Sequence, residues 1–275
     1  MRSRAPANRS PLTFIALVFL LSVPFWLIEP VAGDLSLAVP MQLPVSALQF
    51  VCPLIAVLIM LRRSGPGNIK RLMHEIFDVH KIDRRRWLVP VFLLMPFVMV
   101  MSYALMVLSG RTVPEPKLQV LVVPIISVLF FLTALSEEVG WMGYAADPLQ
   151  RRWSAFMTAL TLGVVWAVWH LIPYIQANHA PSWVIWQCIA TVALRVLIFW
   201  VYNNTGGSLF AVILFHTGIN VNNALFPDNG SFYDPVVTGF LLLIAATVVT
   251  YLWGTSTLAD YRYAPATGES QPTTG

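Results

Sequence analysis

Residues 120–150 read VLVVPIISVLFFLTALSEEVGWMGYAADPLQ, and this stretch decides the fold. It is almost wholly apolar as far as Ser136, and Glu137 and Glu138 follow directly. A membrane-spanning helix needs about 20 mostly apolar residues. A helix that ended at Ser136 would leave both carboxylates at the membrane surface. A helix that continued to Gln150 would hold them inside the membrane, where ionisable side chains are costly and mark functional sites.

The depths of other intramembrane polar residues favour the longer helix. At 1.5 Å per residue, Glu137 would lie about 20 Å from an inner helix end at Gln150. By the same rule His170 would lie about 25 Å, and His216 about 14 Å, from the inner ends of their own spans. These depths overlap only if the fourth span continues, so we expect the helix to pass Glu138 by at least two turns.

The composition predicts an all-α, polytopic membrane protein. Hydrophobic residues make up 57% of the chain and charged residues 11%, whereas soluble domains carry roughly 25% charge. The mean hydropathy is +0.70. Apolar runs predict about eight transmembrane helices: Leu12–Ile28, Met41–Leu61, Trp87–Leu108, Val120–Ser136 or beyond, Ser154–Ile172, Trp183–Tyr202, Ser208–Leu225 and Pro235–Trp253.

The basic residues orient these spans. They cluster before the first span, between the second and third, and between the fourth and fifth, whereas the alternate loops are poor in them. Because cytoplasmic loops collect Lys and Arg, both termini are expected in the cytoplasm. The first span has a basic start but no convincing cleavage site, so we expect a retained anchor and not a signal peptide.

The chain is predicted to form a single transmembrane domain, 1–263, with its core motifs within 121–225 and a small, polar, disordered tail at 264–275. The loop Asn68–Trp87 has apolar residues at helical spacing between basic ones. This pattern favours an amphipathic helix on the inner membrane surface over a solvated connector. The bilayer is the expected surroundings, and nucleic acid is not an expected partner, because the sequence has no basic domain.

Five polar residues in the apolar spans are the candidate site: Glu137, Glu138, His170, His216 and Asn220. They fall on the fourth, fifth and seventh predicted helices. His216 and Asn220 are four residues apart and therefore share one helix face. A packing role would leave five costly groups without a function, so we favour a chemical site.

Two chemistries fit these residue types. A carboxylate with an imidazole can activate water by general-base catalysis, and an asparagine amide can stabilise an oxyanion. Alternatively, Glu137, His170 and His216 are candidate ligands for Zn²⁺, which would lower the pKa of a bound water. No cofactor is certain from the sequence. Both alternatives predict hydrolysis inside a bilayer.

Three motifs in order carry a family resemblance: Glu137-Glu-Val-Gly-Trp-Met-Gly143, Trp166-x-x-x-His170 and His216-x-x-x-Asn220. Together they resemble the CPBP intramembrane proteases, a family that includes prenyl-protein (CAAX) endopeptidases of the Rce type and bacteriocin-processing and self-immunity proteins. The resemblance implies an intramembrane endopeptidase of a bacterial cell membrane that cleaves a peptide or lipidated protein.

The resemblance also implies a role for each residue. Glu137 would be the main catalytic carboxylate, assisted or oriented by Glu138, and His170 would contribute to water activation. His216 and Asn220 would stabilise the oxyanion. Members of the family have been called metalloproteases.

One position departs from the family pattern, which usually reads Glu-Glu-x-x-x-Arg; here Met142 occupies the arginine position. Arg195, in the sixth span, either supplies a compensating charge or extends towards the inner surface, and we favour the second interpretation. The substitution also supports an alternative function, a non-catalytic immunity or partner-binding protein of the same fold. A proton-coupled transporter is less favoured, because such proteins usually have two similar halves and none is evident here.

Overall fold

The computed structural model describes residues 9–32, 34–36, 42–62, 67–82, 84–117, 120–230 and 232–264. The predicted tail beyond residue 264 lies outside this part of the chain. Ten α-helices are present in it: α1 Pro11–Ala32, α2 Cys52–Arg62, α3 Gly67–Ile76, α4 Leu88–Leu108, α5 Val122–Gly140, α6 Asp147–Gln150, α7 Ala155–Gln176, α8 Pro181–Asn204, α9 Leu209–Leu225 and α10 Pro235–Trp253.

The helical, polytopic architecture is confirmed. Within the described residues, seven helical segments are long and apolar enough to span a membrane, and the shorter apolar helix α9 corresponds to the remaining predicted span. The second span begins with a 3-10 helix, Val45–Val51, which leads into α2. A short antiparallel hairpin, β1 Asp34–Ser36 and β2 Gln42–Pro44, lies between the first two spans and was not predicted.

The fourth span continues past Glu138, as the depth argument predicted. Helix α5 passes into a π-helix, Trp141–Ala146, and then into α6, so that Val122–Gln150 is one 29-residue helical segment. Gly140 permits this path. A Cβ at that position would lie 2.6 Å from the ring of Phe14 and 2.8 Å from Pro53. The close approach of α1 and α2 therefore requires glycine where the α-helix changes to the π form.

Helices α7 and α8 form a closely packed antiparallel pair. At Gly163 of α7, a Cβ would lie 3.1 Å from the Cα of Val192 and 3.2 Å from the Cβ of Arg195. Small residues at such contacts let helix backbones approach closely in membranes. The pair brings Arg195 of α8 next to the polar face of α7.

Side-chain hydrogen bonds join the first two spans to α7. The indole of Trp26 donates to Gln49 at 2.6 Å, and the Gln49 amide donates to the carbonyl of Trp169 at 3.2 Å. The Trp169 indole in turn donates to the hydroxyl of Ser22 at 2.8 Å. Buried polar groups in a membrane protein must find partners inside the protein, and these contacts satisfy them.

The predicted amphipathic helix is present as α3, and its apolar face is divided. Leu72 and Ile76 are buried against the helical bundle, whereas Met73, and Phe77 directly after the helix, are exposed. The helix therefore packs on the protein along one side and presents apolar side chains outward along the other. Its position on the inner membrane surface stays a prediction.

Candidate active site

Four of the five predicted site residues line one cavity. Glu137 of α5, His170 of α7, and His216 and Asn220 of α9 all contribute to its wall, and its volume is 410 Å³. Ligand sites in proteins have volumes of roughly 300–1,000 Å³. Three spans thus bring their polar groups to the same place, as the depth argument predicted.

The carboxylate of Glu137 is fixed by a tryptophan. The Nε1–H of Trp166 donates a hydrogen bond of 2.7 Å to Oε2 of Glu137, and the Glu137 side chain is buried. This hydrogen bond fixes the direction of the carboxylate. The other oxygen has no hydrogen-bond partner among the described residues, and the Glu137 residue lines the cavity.

His170 has a defined tautomer. Its Nδ1 lies 2.9 Å from the carbonyl oxygen of Trp166, one turn earlier on α7. A carbonyl oxygen only accepts hydrogen bonds, so Nδ1 carries the proton. In the neutral ring Nε2 is then unprotonated and available as a proton acceptor on a residue of the cavity wall.

Glu138 points away from the cavity and forms a buried cluster with two other side chains. The guanidinium of Arg195 donates to both carboxylate oxygens, at 2.8 and 3.0 Å, and Nδ1 of His216 lies 2.8 Å from Oε1. The side chains of Glu138 and Arg195 are both 0% exposed. Our preferred interpretation of Arg195 as a residue reaching for the inner surface is wrong.

Arg195 is held in the interior because it has two partners there. Besides Glu138, its guanidinium stacks over the ring of Trp166, with Cζ 4.0 Å from the ring centroid. A cation is stabilised by the face of an indole, and the ion pair neutralises both charges. Met142, at the position where the family motif has arginine, is fully buried. In this chain the cation of the site therefore comes from α8.

Trp166 connects the cavity to this cluster, and the sequence reasoning did not assign it a role. One ring binds Glu137 through its N–H, receives Arg195 on its face, and meets His216 edge-on with ring centroids 5.3 Å apart. The sequence did contain a signal for this role: Trp166 is four residues before His170, and that spacing places both side chains on one helix face.

The orientation of His216 limits the chemistry of its ring. Glu138 is paired with Arg195 and therefore anionic, so Nδ1 of His216 donates to it. Nε2 is then an acceptor when the ring is neutral and a donor when it is protonated. Asn220, one turn further along α9, also lines the cavity, and its amide has no hydrogen-bond partner among the described residues.

The three candidate metal ligands do not form a zinc site as they lie. Structural and catalytic zinc sites need at least three His, Cys, Asp or Glu ligands around one ion. No such group is found among the described residues. Dependence on Zn²⁺ stays a prediction for experiment.

This site and fold define a class: a polytopic helical membrane protein with a carboxylate and two imidazoles around an internal cavity. Residues 119–222 match the family model described as type II CAAX prenyl endopeptidase Rce1-like. The chain is 28% identical over 217 residues to CAAX prenyl protease 2 of Methanococcus maripaludis, an alignment that covers 73% of this chain and 79% of that protein. These matches confirm the resemblance drawn from the motifs: the chain is similar to Rce1-like endopeptidases, and this similarity supports a protease of membranes.

Proposed function

We propose that the protein hydrolyses a peptide bond within the membrane by a water molecule that Glu137 and His170 activate. One observation carries the proposal: Glu137, His170, His216 and Asn220, which three different helices supply, line the same cavity. Trp166 binds one carboxylate oxygen of Glu137 and leaves the other without a hydrogen-bond partner among the described residues.

In the proposed reaction Glu137 accepts a proton from water while His170 Nε2 accepts a hydrogen bond from it. The hydroxide oxygen then bonds to the carbonyl carbon, whose π electrons move onto oxygen. Collapse of this tetrahedral species breaks the C–N bond, and the proton held by Glu137 passes to the leaving nitrogen. General acid–base steps of this kind contribute about 10²–10⁴-fold to the rate.

His216 and Asn220 are proposed to stabilise the oxyanion. The Asn220 amide donates directly, and His216 donates through Nε2 when its ring is protonated. Glu138 and Arg195 orient His216 and take no direct part in the reaction. Oxyanion donors are worth about 10²–10³-fold in kcat.

The proposed substrate is a peptide or lipidated protein in the bilayer, and the proposed location is a bacterial cell membrane with both termini in the cytoplasm. Two observations support an integral membrane location with this orientation. The chain has several spans, and Lys and Arg concentrate in alternate loops, which is typical of cytoplasmic sides.

The test compares purified wild-type protein with the Glu137→Gln variant on a labelled, prenylated peptide. Glutamine keeps the size of the side chain but is not a base, so we expect a loss of about 10²–10⁴-fold. Glu115→Gln, which removes an exposed carboxylate outside the cavity wall, is the matched control and should keep full activity. Wild-type rates from folded Glu137→Gln protein would exclude the catalytic role and favour a partner-binding function.

A further inference from the structure

A second, larger cavity lies at the end of the bundle that carries the basic loops. Its volume is 1270 Å³. Its wall combines residues from the start of α4, the end of α8, the end of α10 and the segment 259–264 that follows α10. It shares no described wall residue with the cavity that contains Glu137, so it is a separate site.

The segment after α10 is held in place by an asparagine of α8. The side-chain amide of Asn204 donates hydrogen bonds of 2.8 Å to the carbonyl oxygens of Trp200 and Leu258. The backbone N–H of Arg262 donates to the carbonyl of Leu252 on α10 at 2.7 Å. These contacts hold the segment against α8 and α10, where it forms one side of the cavity.

Four aromatic rings lie side by side in the cavity wall. The ring of Trp200 meets those of Trp87 and Trp253, with centroids 5.0 and 5.1 Å apart. Tyr261 lies against Trp253 at 5.0 Å between centroids. Trp and Tyr are enriched where a membrane meets water, with their rings at the level of the lipid headgroups. This part of the cavity is therefore expected at the headgroup level.

An apolar stripe of α4 leads from these rings along the helix. Val89, Leu93 and Phe97 are spaced four residues apart, so they share one helix face. All three line the cavity, and each is more than half exposed. The stripe covers eight residues, which is about 12 Å at 1.5 Å per residue. An apolar chain can lie along it.

Two arginines lie at the polar end of the same cavity. Arg84 and Arg86 are exposed wall residues just before α4. Neither takes part in an ion pair among the described residues. Asp260 is the one carboxylate among the described wall residues, so the wall keeps an excess of positive charge. Cationic side chains at a membrane surface attract anionic lipid headgroups.

We propose that this cavity binds a phospholipid with an anionic headgroup. Its phosphate lies at Arg84 and Arg86, and one acyl chain follows the stripe of α4. The guanidinium groups match a phosphate in geometry and charge. The uncharged prenyl chain of a modified protein would leave both arginines without a partner. The site shares no wall residue with the candidate active site, so the proposal does not depend on the proposed hydrolysis.

The first test measures lipid affinity by native mass spectrometry of the full-length protein, delipidated in a neutral detergent. We expect phosphatidylglycerol to bind at least tenfold more tightly than phosphatidylcholine, whose ammonium group cancels the phosphate charge. Replacing both Arg84 and Arg86 by glutamine should weaken phosphatidylglycerol binding about 30-fold, since each cation at a membrane surface contributes a factor of about five. Inorganic phosphate should not displace the lipid, because it has no apolar part.

A second pair of arginines gives the matched control. Arg151 and Arg152 are exposed at the same end of the bundle but lie outside the cavity wall. Replacing both by glutamine should leave the affinity unchanged, and Asp260→Asn should strengthen phosphatidylglycerol binding. Equal affinity for the two lipids, or an equal loss in the two double variants, would overturn the proposal.

The path of the acyl chain is tested with two neighbouring positions of α4. Leu93→Trp places a larger ring in the cavity wall and should weaken phosphatidylglycerol binding at least tenfold. Phe92→Trp, at an exposed position outside the wall, should have no effect. Equal affinities of these two variants would contradict the path. Displacement of phosphatidylglycerol by farnesylcysteine methyl ester would show that the cavity takes a prenyl chain, and would overturn the proposal.

Discussion

Trp166 donates a hydrogen bond of 2.7 Å to Glu137 from a ring whose face carries the guanidinium of Arg195. The two adjacent glutamates of α5 are thereby separated in role. Glu137 lines the cavity and has one oxygen without a hydrogen-bond partner among the described residues, whereas Glu138 lies behind it with both oxygens bound. Successive helix residues point about 100° apart. The two adjacent carboxylates therefore lie in two different environments.

Replacing Trp166 by phenylalanine should reduce activity more than stability. The ring that contacts Arg195 and His216 is retained in part, but the N–H that holds Glu137 is lost. Hydrogen bonds to charged groups are worth about 1.5–3 kcal/mol, so we expect kcat to fall about 10- to 100-fold. Steady-state kinetics and thermal unfolding of the same preparation give the two values.

Trp169→Phe is the control for this substitution. The Trp169 indole donates to Ser22, away from Glu137, so its loss should lower the unfolding temperature with a smaller change in kcat. If both variants lose stability and activity in the same proportion, Trp166 acts only through packing.

Replacing either of two glycines by alanine should change the stability of the protein, in opposite directions for the two positions. Gly140→Ala brings a methyl group to 2.6 Å from Phe14, and overpacking of this kind costs about 1–3 kcal/mol. Gly218→Ala meets its nearest atom, a backbone oxygen, at 3.8 Å, and alanine improves helix stability by about 0.5–1 kcal/mol. The thermal unfolding temperature in detergent should be lower than wild type for Gly140→Ala and equal to or higher than wild type for Gly218→Ala. Stability of Gly140→Ala equal to wild type would contradict the close packing of α1 on α5.

Chelation should leave activity largely intact. The described residues hold no group of three metal ligands, and the proposed water activation uses Glu137 and His170 directly. We expect hydrolysis to persist after dialysis against EDTA and in the presence of phenanthroline. Loss of activity with chelator, restored by added Zn²⁺, would contradict the metal-free mechanism and support the zinc alternative.

The sequence predicted the convergence of Glu137, His170, His216 and Asn220, because helical rise and helical spacing fix depth and face for residues on long apolar spans. It did not predict the partner of Arg195. A lone arginine near the inner half of a span is consistent with either an interior ion pair or an extended surface side chain. The choice depends on how α8 is rotated against α7, which the contact at Gly163 determines.

Reporter fusions should establish which ends of the spans face the cytoplasm. Basic residues cluster at the ends of spans near Arg62 and Arg152, and such loops are typically cytoplasmic. Fusions at Arg63, Asn178 and Gly275 should report inside, outside and inside. An outside result for Gly275 would contradict the predicted topology.

Losing one partner of the ion pair between Glu138 and Arg195 should destabilise the protein more than losing both. Removing one partner leaves the other charge buried without compensation, which costs about 3–5 kcal/mol. Both Arg195→Met and Glu138→Gln should therefore strongly destabilise the protein in thermal unfolding. Arg152→Met, which removes an exposed arginine, should have little effect.

The double variant Glu138→Gln with Arg195→Met separates charge from packing. It leaves no buried charge at this position, and replacing a buried ion pair by neutral groups is often close to neutral for stability. We expect its unfolding temperature to recover most of the loss seen in either single variant. Activity should not recover, because the carboxylate that holds Nδ1 of His216 at 2.8 Å is missing. Additive destabilisation in the double variant would contradict the direct pairing, and recovered activity would show that the orientation of His216 does not depend on Glu138.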